Sequence, residues 1–334
     1  MLDWLTSKLG KGSAANKAPA RRRPTTSSAA TSNRPAATSA LPRKYEAKLS
    51  QDALQRSRDV LLGAVGETLD KVPMLSKAAR AAFDASLDVD VTFDQLRAIL
   101  EQDAGLVATL LQQANSVRYS GAKQAETVMD ALGRVGLGGL RDMLMVASSH
   151  RILKIPGFPD VTDRLQARGP AVGYCSRQIA ECLGIDADAA FTAGLLHDIG
   201  WPAAYDTARR VVKHLPAEVQ EAGGEGLMLV AEYTHQNVGQ RLAHTWNLGS
   251  RTVSAVGNHH DPASSPMQGR ETAWVVACAM ALVDSVGWYP ETRVPDVLAS
   301  PIVQAVKLSP TQVAQLTRTL RRDLELNAAP EAVA

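Results

Sequence analysis

AGLLHDIG, residues 193 to 200, ends a run of small and apolar residues with an imidazole beside a carboxylate. An adjacent His197-Asp198 at a helix end can chelate a divalent metal, and it is the one local signature of phosphohydrolase chemistry in the chain. Asp186 opens the short helix leading into the pair, and Gly200 sits where a C-terminal helix cap is expected. Upstream, a helix is predicted from about Ala171 to Leu183 and an apolar one from about Leu140 to Leu153, with Pro156, Gly157 and Pro159 between them and Gly133, Gly136, Gly138 and Gly139 ahead of both. Farther back, Asp103 leads into Leu106, Val107, Leu110 and Leu111. Thr92-Phe93-Asp94-Gln95 reads as a capping box, and Leu54, Leu61, Val65 and Leu69 recur at helical spacing behind Ser50. Downstream, Gly223-Gly224 makes a loop before an amphipathic helix from about Leu227 to Trp246. Another helix leads to Asn258-His259-His260-Asp261, and Glu271 to Val286 forms an apolar helix carrying Asp284. The last helix opens at Ser309-Pro310-Thr311-Gln312 and bears Val313, Leu316, Leu320 and Leu324. No segment alternates as a strand would, so the expected fold is an all-α, multi-helix bundle.

The 334 residues can bury a sizeable core, and their richness in Ala and Leu with few aromatics favours helices. The net charge of +2 conceals a split. Residues 1 to 44 hold nine Lys/Arg against Asp3, so this tail carries +8 and the remainder −6. Rich in Ser, Thr, Ala and Pro, the tail is expected to be disordered, because it cannot bury enough apolar surface to offset the entropy of ordering. Leu2, Trp4, Leu5 and Leu9 ahead of it share one face of a short helix or form a frayed end, and Arg21-Arg22-Arg23 either touches an anionic surface or is merely solvated. The longest apolar run, Ala273 to Val283, is too short to cross a bilayer, and MLDWLTSKLG lacks the parts of a signal peptide. Cys175, Cys182 and Cys278 have no CxxC spacing and read as reduced core residues, so the cytoplasm is the expected compartment.

His197, Asp198, His235, His259, His260 and Asp284 fall in order on successive helices, each near an apolar face or a helix end. Such a set suits Fe, Mn, Mg or Zn, and a metal there would polarise a phosphate and activate a water. Each member also has a structural reading: a buried His satisfied by a backbone carbonyl, an Asp bonded to a neighbouring helix, a His pair capping its own helix. Other chemistries find no motif. Gly223-Gly224-Glu225-Gly226 lacks the Lys of a phosphate loop, there is no GxSxG, and no basic recognition helix is visible for DNA; Arg318, Arg321 and Arg322 read as a solvated face.

From about Val72 to Val286 the chain resembles the HDOD domain, a relative of the HD-superfamily phosphohydrolases in bacterial signalling proteins. The resemblance rests on DAGLVATLLQQANSVRYS (103 to 120), MDALGRVGLGGLRDML (129 to 144), FTAGLLHDIG (191 to 200), EYTHQNVGQRLAHTWNL (232 to 248) and VGNHHDP (256 to 262), in that order. It implies an all-helical body at 72 to 288, preceded by the tail (1 to 44) and a packed N-terminal helix (45 to 71) and followed by a C-terminal loop and helix (289 to 334). It also implies a deficient active site. Active HD hydrolases take a further metal-binding His from the helix before the HD pair, yet no His lies between His150 and His197, and that position falls near Arg168, which repels a cation. Trp201 stands where the cyclic-dinucleotide phosphodiesterases carry Lys, and HHDPASSPMQ contains no GYP. No residue is therefore assigned as catalytic. Three readings follow: a non-catalytic scaffold recruiting regulatory signalling proteins, which the family favours; a metal-dependent hydrolase of a nucleotide or cyclic dinucleotide; or a nucleotide sensor without turnover, with Arg168 as an anion contact.

Overall fold

Ser50, Ser76, Thr92, Asp103, Thr127 and Asp186 each open a helix in the computed structural model, which describes residues 47–69, 72, 75–116, 119, 123–286 and 297–327. Each side-chain oxygen accepts an amide that the first helical turn leaves without a partner, as Asp186 does from Ala189 N (3.0 Å). The helices so opened are α1 (Gln51–Ala64), α3 (Lys77–Ala85), α4 (Phe93–Leu100), α5 (Ala104–Ala114), α6 (Val128–Ile152) and α8 (Ala187–Leu196), with the short α2 (Gly66–Leu69) after α1. The Thr92–Gln95 capping box forms as expected. The others are α7 (Pro159–Leu183), α9 (Gly200–Arg210), α10 (Ala217–Glu221), α11 (Gly223–Thr245), α12 (Ser250–Asn258), α13 (Arg270–Ser285), α14 (Pro301–Val306) and α15 (Pro310–Asn327). No strand occurs among the described residues. The tail predicted at 1 to 44 and its Leu/Trp hook lie outside them. Among the described residues no helix is long and apolar enough to cross a membrane.

Three expectations change. The glycines before Leu140 do not end a helix: α6 runs from Val128 and takes its irregularity at Gly136, whose φ of 67° and ψ of 179° suit only glycine. The Gly223-Gly224 loop is the first turn of α11. Of the three cysteines, Cys175 and Cys278 are buried but Cys182 is exposed.

Two apolar clusters make the core. The first joins α1 to α6 with the N-terminal half of α7 (Val161, Leu165), part of α8 (Phe191, Leu195, Leu196), α9 and α11. The second joins the C-terminal half of α7 (Ala171, Val172, Cys175, Ile179) to Ala190 and Ala193 of α8, Ala255 of α12, and α13, α14 and α15. Helix α7 passes from one cluster to the other between Leu165 and Ala171, and Arg168 lies in that interval. Glycines set how near the helices come. A Cβ on Gly169 of α7 would stand 2.9 Å from the Leu195 carbonyl, and one on Gly194 would stand 2.6 Å from Ser176 Oγ, so α7 and α8 meet backbone to backbone. At the next junction, a Cβ on Gly200 would lie 2.0 Å from the His235 carbonyl and 2.4 Å from Gly239 N. These two contacts press α7, α8, α9 and α11 around the residues between Leu196 and Gly200.

Candidate functional site

His197 follows the last residue of α8, where carbonyls have run out of amide partners. Its Nδ1–H donates to the Gly194 carbonyl (2.7 Å), which leaves Nε2 as an acceptor directed inward. The same arrangement recurs twice. His235 Nδ1–H donates to Glu232 O (2.5 Å) within α11, and His259 Nδ1–H donates to Val256 O (2.9 Å) at the end of α12. Three imidazoles on three elements are thus held in one tautomer by their own helices, each with a lone pair free. The Gln236 amide accepts from the backbone N–H groups of His259 (3.2 Å) and His260 (3.0 Å) when its oxygen faces them, the orientation that its surroundings satisfy.

All seven expected residues meet at the junction of the two clusters. They divide into two groups that share Asp198. In the first, Arg168 from α7 donates through Nη1 to His197 Nε2 (3.0 Å) and Asp198 Oδ2 (3.2 Å), and through Nη2 to Asp284 Oδ2 (3.1 Å) from α13. His197 Nε2 lies 2.9 Å from the same Asp198 oxygen, so two acceptors converge on one guanidinium nitrogen. In the second group His235 Nε2 and His259 Nε2 are 3.1 Å apart, and the other Asp198 oxygen, Oδ1, lies 3.4 Å from the former and 3.7 Å from the latter. His260 presents a ring nitrogen within 4.8 Å of those of His235 and His259. The anionic partners of Arg168 are therefore the chain's own carboxylates.

The site is sealed. Arg168, His197, Asp198, His235 and His259 are each at most 3 % exposed, and the Asp284 side chain is 10 % exposed. Burial alone would raise the Asp198 pKa, but His197 and Arg168 beside it hold the carboxyl well below the usual carboxylate range. Burial would likewise lower that of Arg168, but Asp284 and Asp198 raise it, so the guanidinium is a permanent charge. Burial pushes His235 down to about 4, and burial with the neighbouring imidazoles pushes His259 and His260 well below their ordinary value. The second group is thus a set of neutral imidazoles facing one carboxylate.

Donor chemistry decides what each group can hold. Neutral imidazoles with one carboxylate suit zinc or iron(II), so the His235, His259, His260 group fits a divalent ion. The His197, Asp198, Asp284 group does not, because its inward-facing acceptors already receive the guanidinium. Two contributors escaped the sequence reading. Gln236 has no local signature, since its partners lie more than twenty residues downstream. Trp201, noted only for standing where Lys was expected, stacks on the His235 ring with centroids 5.3 Å apart.

Comparison with known proteins matches residues 72–262 to the HDOD domain. An uncharacterised protein of Treponema pallidum (strain Nichols) is 25% identical over 259 residues, 74% of this chain but 49% of that protein, so the chain spans about half the length of this relative. An HDOD domain protein of unknown function from Geobacter sulfurreducens shares the fold with a TM-score of 0.59 at 22% identity, over 82% of this chain and 97% of the other. A Shewanella amazonensis SB2B protein, provisionally described as a metal-dependent phosphohydrolase, has a TM-score of 0.59 at 17% identity, over 81% and 99%. A Marinobacter aquaeolei VT8 protein, provisionally described as a signal transduction protein, has a TM-score of 0.56 at 18% identity, over 84% and 66%.

Proposed function

The chain belongs to the HDOD family, and on that premise we propose that it is a non-catalytic signal-transduction module that works by binding a regulatory protein. The observation that carries this reading is the Arg168 guanidinium, in contact with His197, Asp198 and Asp284 at once. A hydrolytic metal works by keeping an open coordination position in which water is acidified or a phosphoryl oxygen polarised. A guanidinium has no vacant orbital and no exchangeable water, and its tether fixes it in place. The burial of the group also supports the reading, because an incoming phosphoester and its attacking water need access. In this reading a divalent ion belongs only to the His235, His259, His260 group, and its work there is structural. The description of the Marinobacter neighbour supports a role in signalling.

The test is an assay of the full chain, purified without chelators, on guanosine tetraphosphate, cyclic di-GMP and a generic phosphodiester with added Mn, Fe or Mg. No turnover is expected, and no saturable binding of the two nucleotides by calorimetry. Turnover lost in Asp198→Ala would establish the hydrolase reading instead; saturable binding without turnover, lost in Arg168→Met, would establish the sensor reading.

A further inference from the structure

We infer that His235, His259 and His260, with Asp198 Oδ1, form a mononuclear site for zinc or iron(II), one that rests on the reading of Arg168 as the cation filling the neighbouring position. The geometry points to an ion rather than to hydrogen bonding alone. The Nδ1–H groups of His235 and His259 are committed to Glu232 O and Val256 O, so the two Nε2 atoms, 3.1 Å apart, meet as lone pair against lone pair. Asp198 Oδ1, an acceptor as well, faces both. Acceptors brought this close without a donor repel one another, and a cation between them reverses the sign. The spacing has the right scale: bonds of about 2.0–2.1 Å at a tetrahedral angle place ligand atoms about 3.3–3.4 Å apart. The observed separations of 3.1, 3.4 and 3.7 Å bracket that value. His260, whose ring nitrogen lies within 4.8 Å of both, completes a set of four by a small rotation.

Backbone and ring supports keep the donors directed. Gln236 fixes the register of the His259-His260 pair, Trp201 stacks on His235, and the helix carbonyls hold the tautomer, the outer support that orients metal-binding imidazoles. Asp198 divides its two oxygens between the two cations, Oδ2 to Arg168 and Oδ1 to the ion. One carboxylate therefore ties α7 to the ion and through it to α11 and α12. The hard ions Mg and Ca, which prefer oxygen, are disfavoured by this donor set.

Metal content of the full chain purified without chelators, followed by cobalt titration of chelator-treated protein, tests the site without any activity assay. About one ion per chain is expected, with the visible absorption of tetrahedral cobalt developing to one equivalent and a rise in thermal midpoint on adding zinc. His259→Ala or His260→Ala should weaken zinc binding by more than about 100-fold, beyond the cost of losing an outer support. Arg168→His should raise the capacity to two ions, because it supplies an imidazole where the guanidinium stood. Absence of metal, with a silent cobalt spectrum in folded wild-type protein, would overturn the inference and leave the Arg168 reading intact. Two ions in the wild-type chain would overturn the Arg168 reading instead. The wild-type spectrum decides the matter even where a variant fails to fold.

Discussion

At the scale of single residues, Arg168 links three groups that lie 29, 30 and 116 residues away in sequence. Replacing it with Met keeps the apolar stem and removes the charge, which leaves the Asp198 and Asp284 carboxylates buried without a cation. Removing one partner of a buried, hydrogen-bonded ion pair costs about 3–5 kcal/mol, and Arg168→Met should lose that much in urea unfolding. Arg168→Lys should recover only part of it, because an ammonium cannot reach His197, Asp198 and Asp284 along one planar fork. The sequence marked Arg168 by a missing histidine and read it correctly as hostile to a metal. What it bonds was not legible: a guanidinium's partners depend on which helices cross, and nothing local records that. His197, His235 and His259 were legible for a simpler reason, since a His near a helix end finds a carbonyl three residues back whatever the rest of the fold does.

Among the elements, the junction of α9 with α11 depends on one position. Gly200 looked like a C-terminal cap, yet it opens α9 and has no left-handed φ; its lack of a side chain serves the approach of two helices. Gly200→Ala would drive a Cβ into the His235 carbonyl and the Gly239 amide, backbone atoms with little freedom to shift. An overpacking cost at or above the usual 1–3 kcal/mol is expected, seen as a lowered thermal midpoint and faster hydrogen exchange in residues 200–210. The dipeptide pattern suggested glycine at this place but not its reason, because a cap and a close crossing leave the same letter. At the other end of the molecule, α1 is pinned to α10 by Glu218, which accepts from Ser50 N and Ser50 Oγ (both 2.9 Å). Those bonds lower the Glu218 pKa, so their contribution is present above the ordinary glutamate range and is lost as the pH falls through the depressed folded value. Hydrogen exchange in residues 51–64 should therefore accelerate in acid, and Glu218→Gln should flatten that dependence. An unchanged acid response in the variant would assign it to another group.

For the whole molecule, helical periodicity and capping residues were enough to read an all-α bundle, whereas the division of its core into two clusters was not legible, since every helix shows the same kind of apolar face. That division carries the last prediction. The HDOD match ends at residue 262, before α13, yet α13 supplies Asp284 to Arg168 and buries Val275, Val276, Cys278 and Leu282 in the second cluster. Val313, Leu316 and Leu320 of α15 close the same cluster. A chain ending at Pro262 should thus fail to fold cooperatively, because α7 and α8 would expose their shared apolar face and Arg168 would lose a carboxylate. A chain ending at Val286 keeps the site and loses only α14 and α15; the three α15 side chains are worth at most about 1.5–3 kcal/mol each, so it should fold with several kcal/mol less stability. Circular dichroism with urea titration separates the two. A cooperative transition in the shorter chain would show that the first cluster folds without the second, and Arg168 would then be an attachment between units rather than the polar centre of one core.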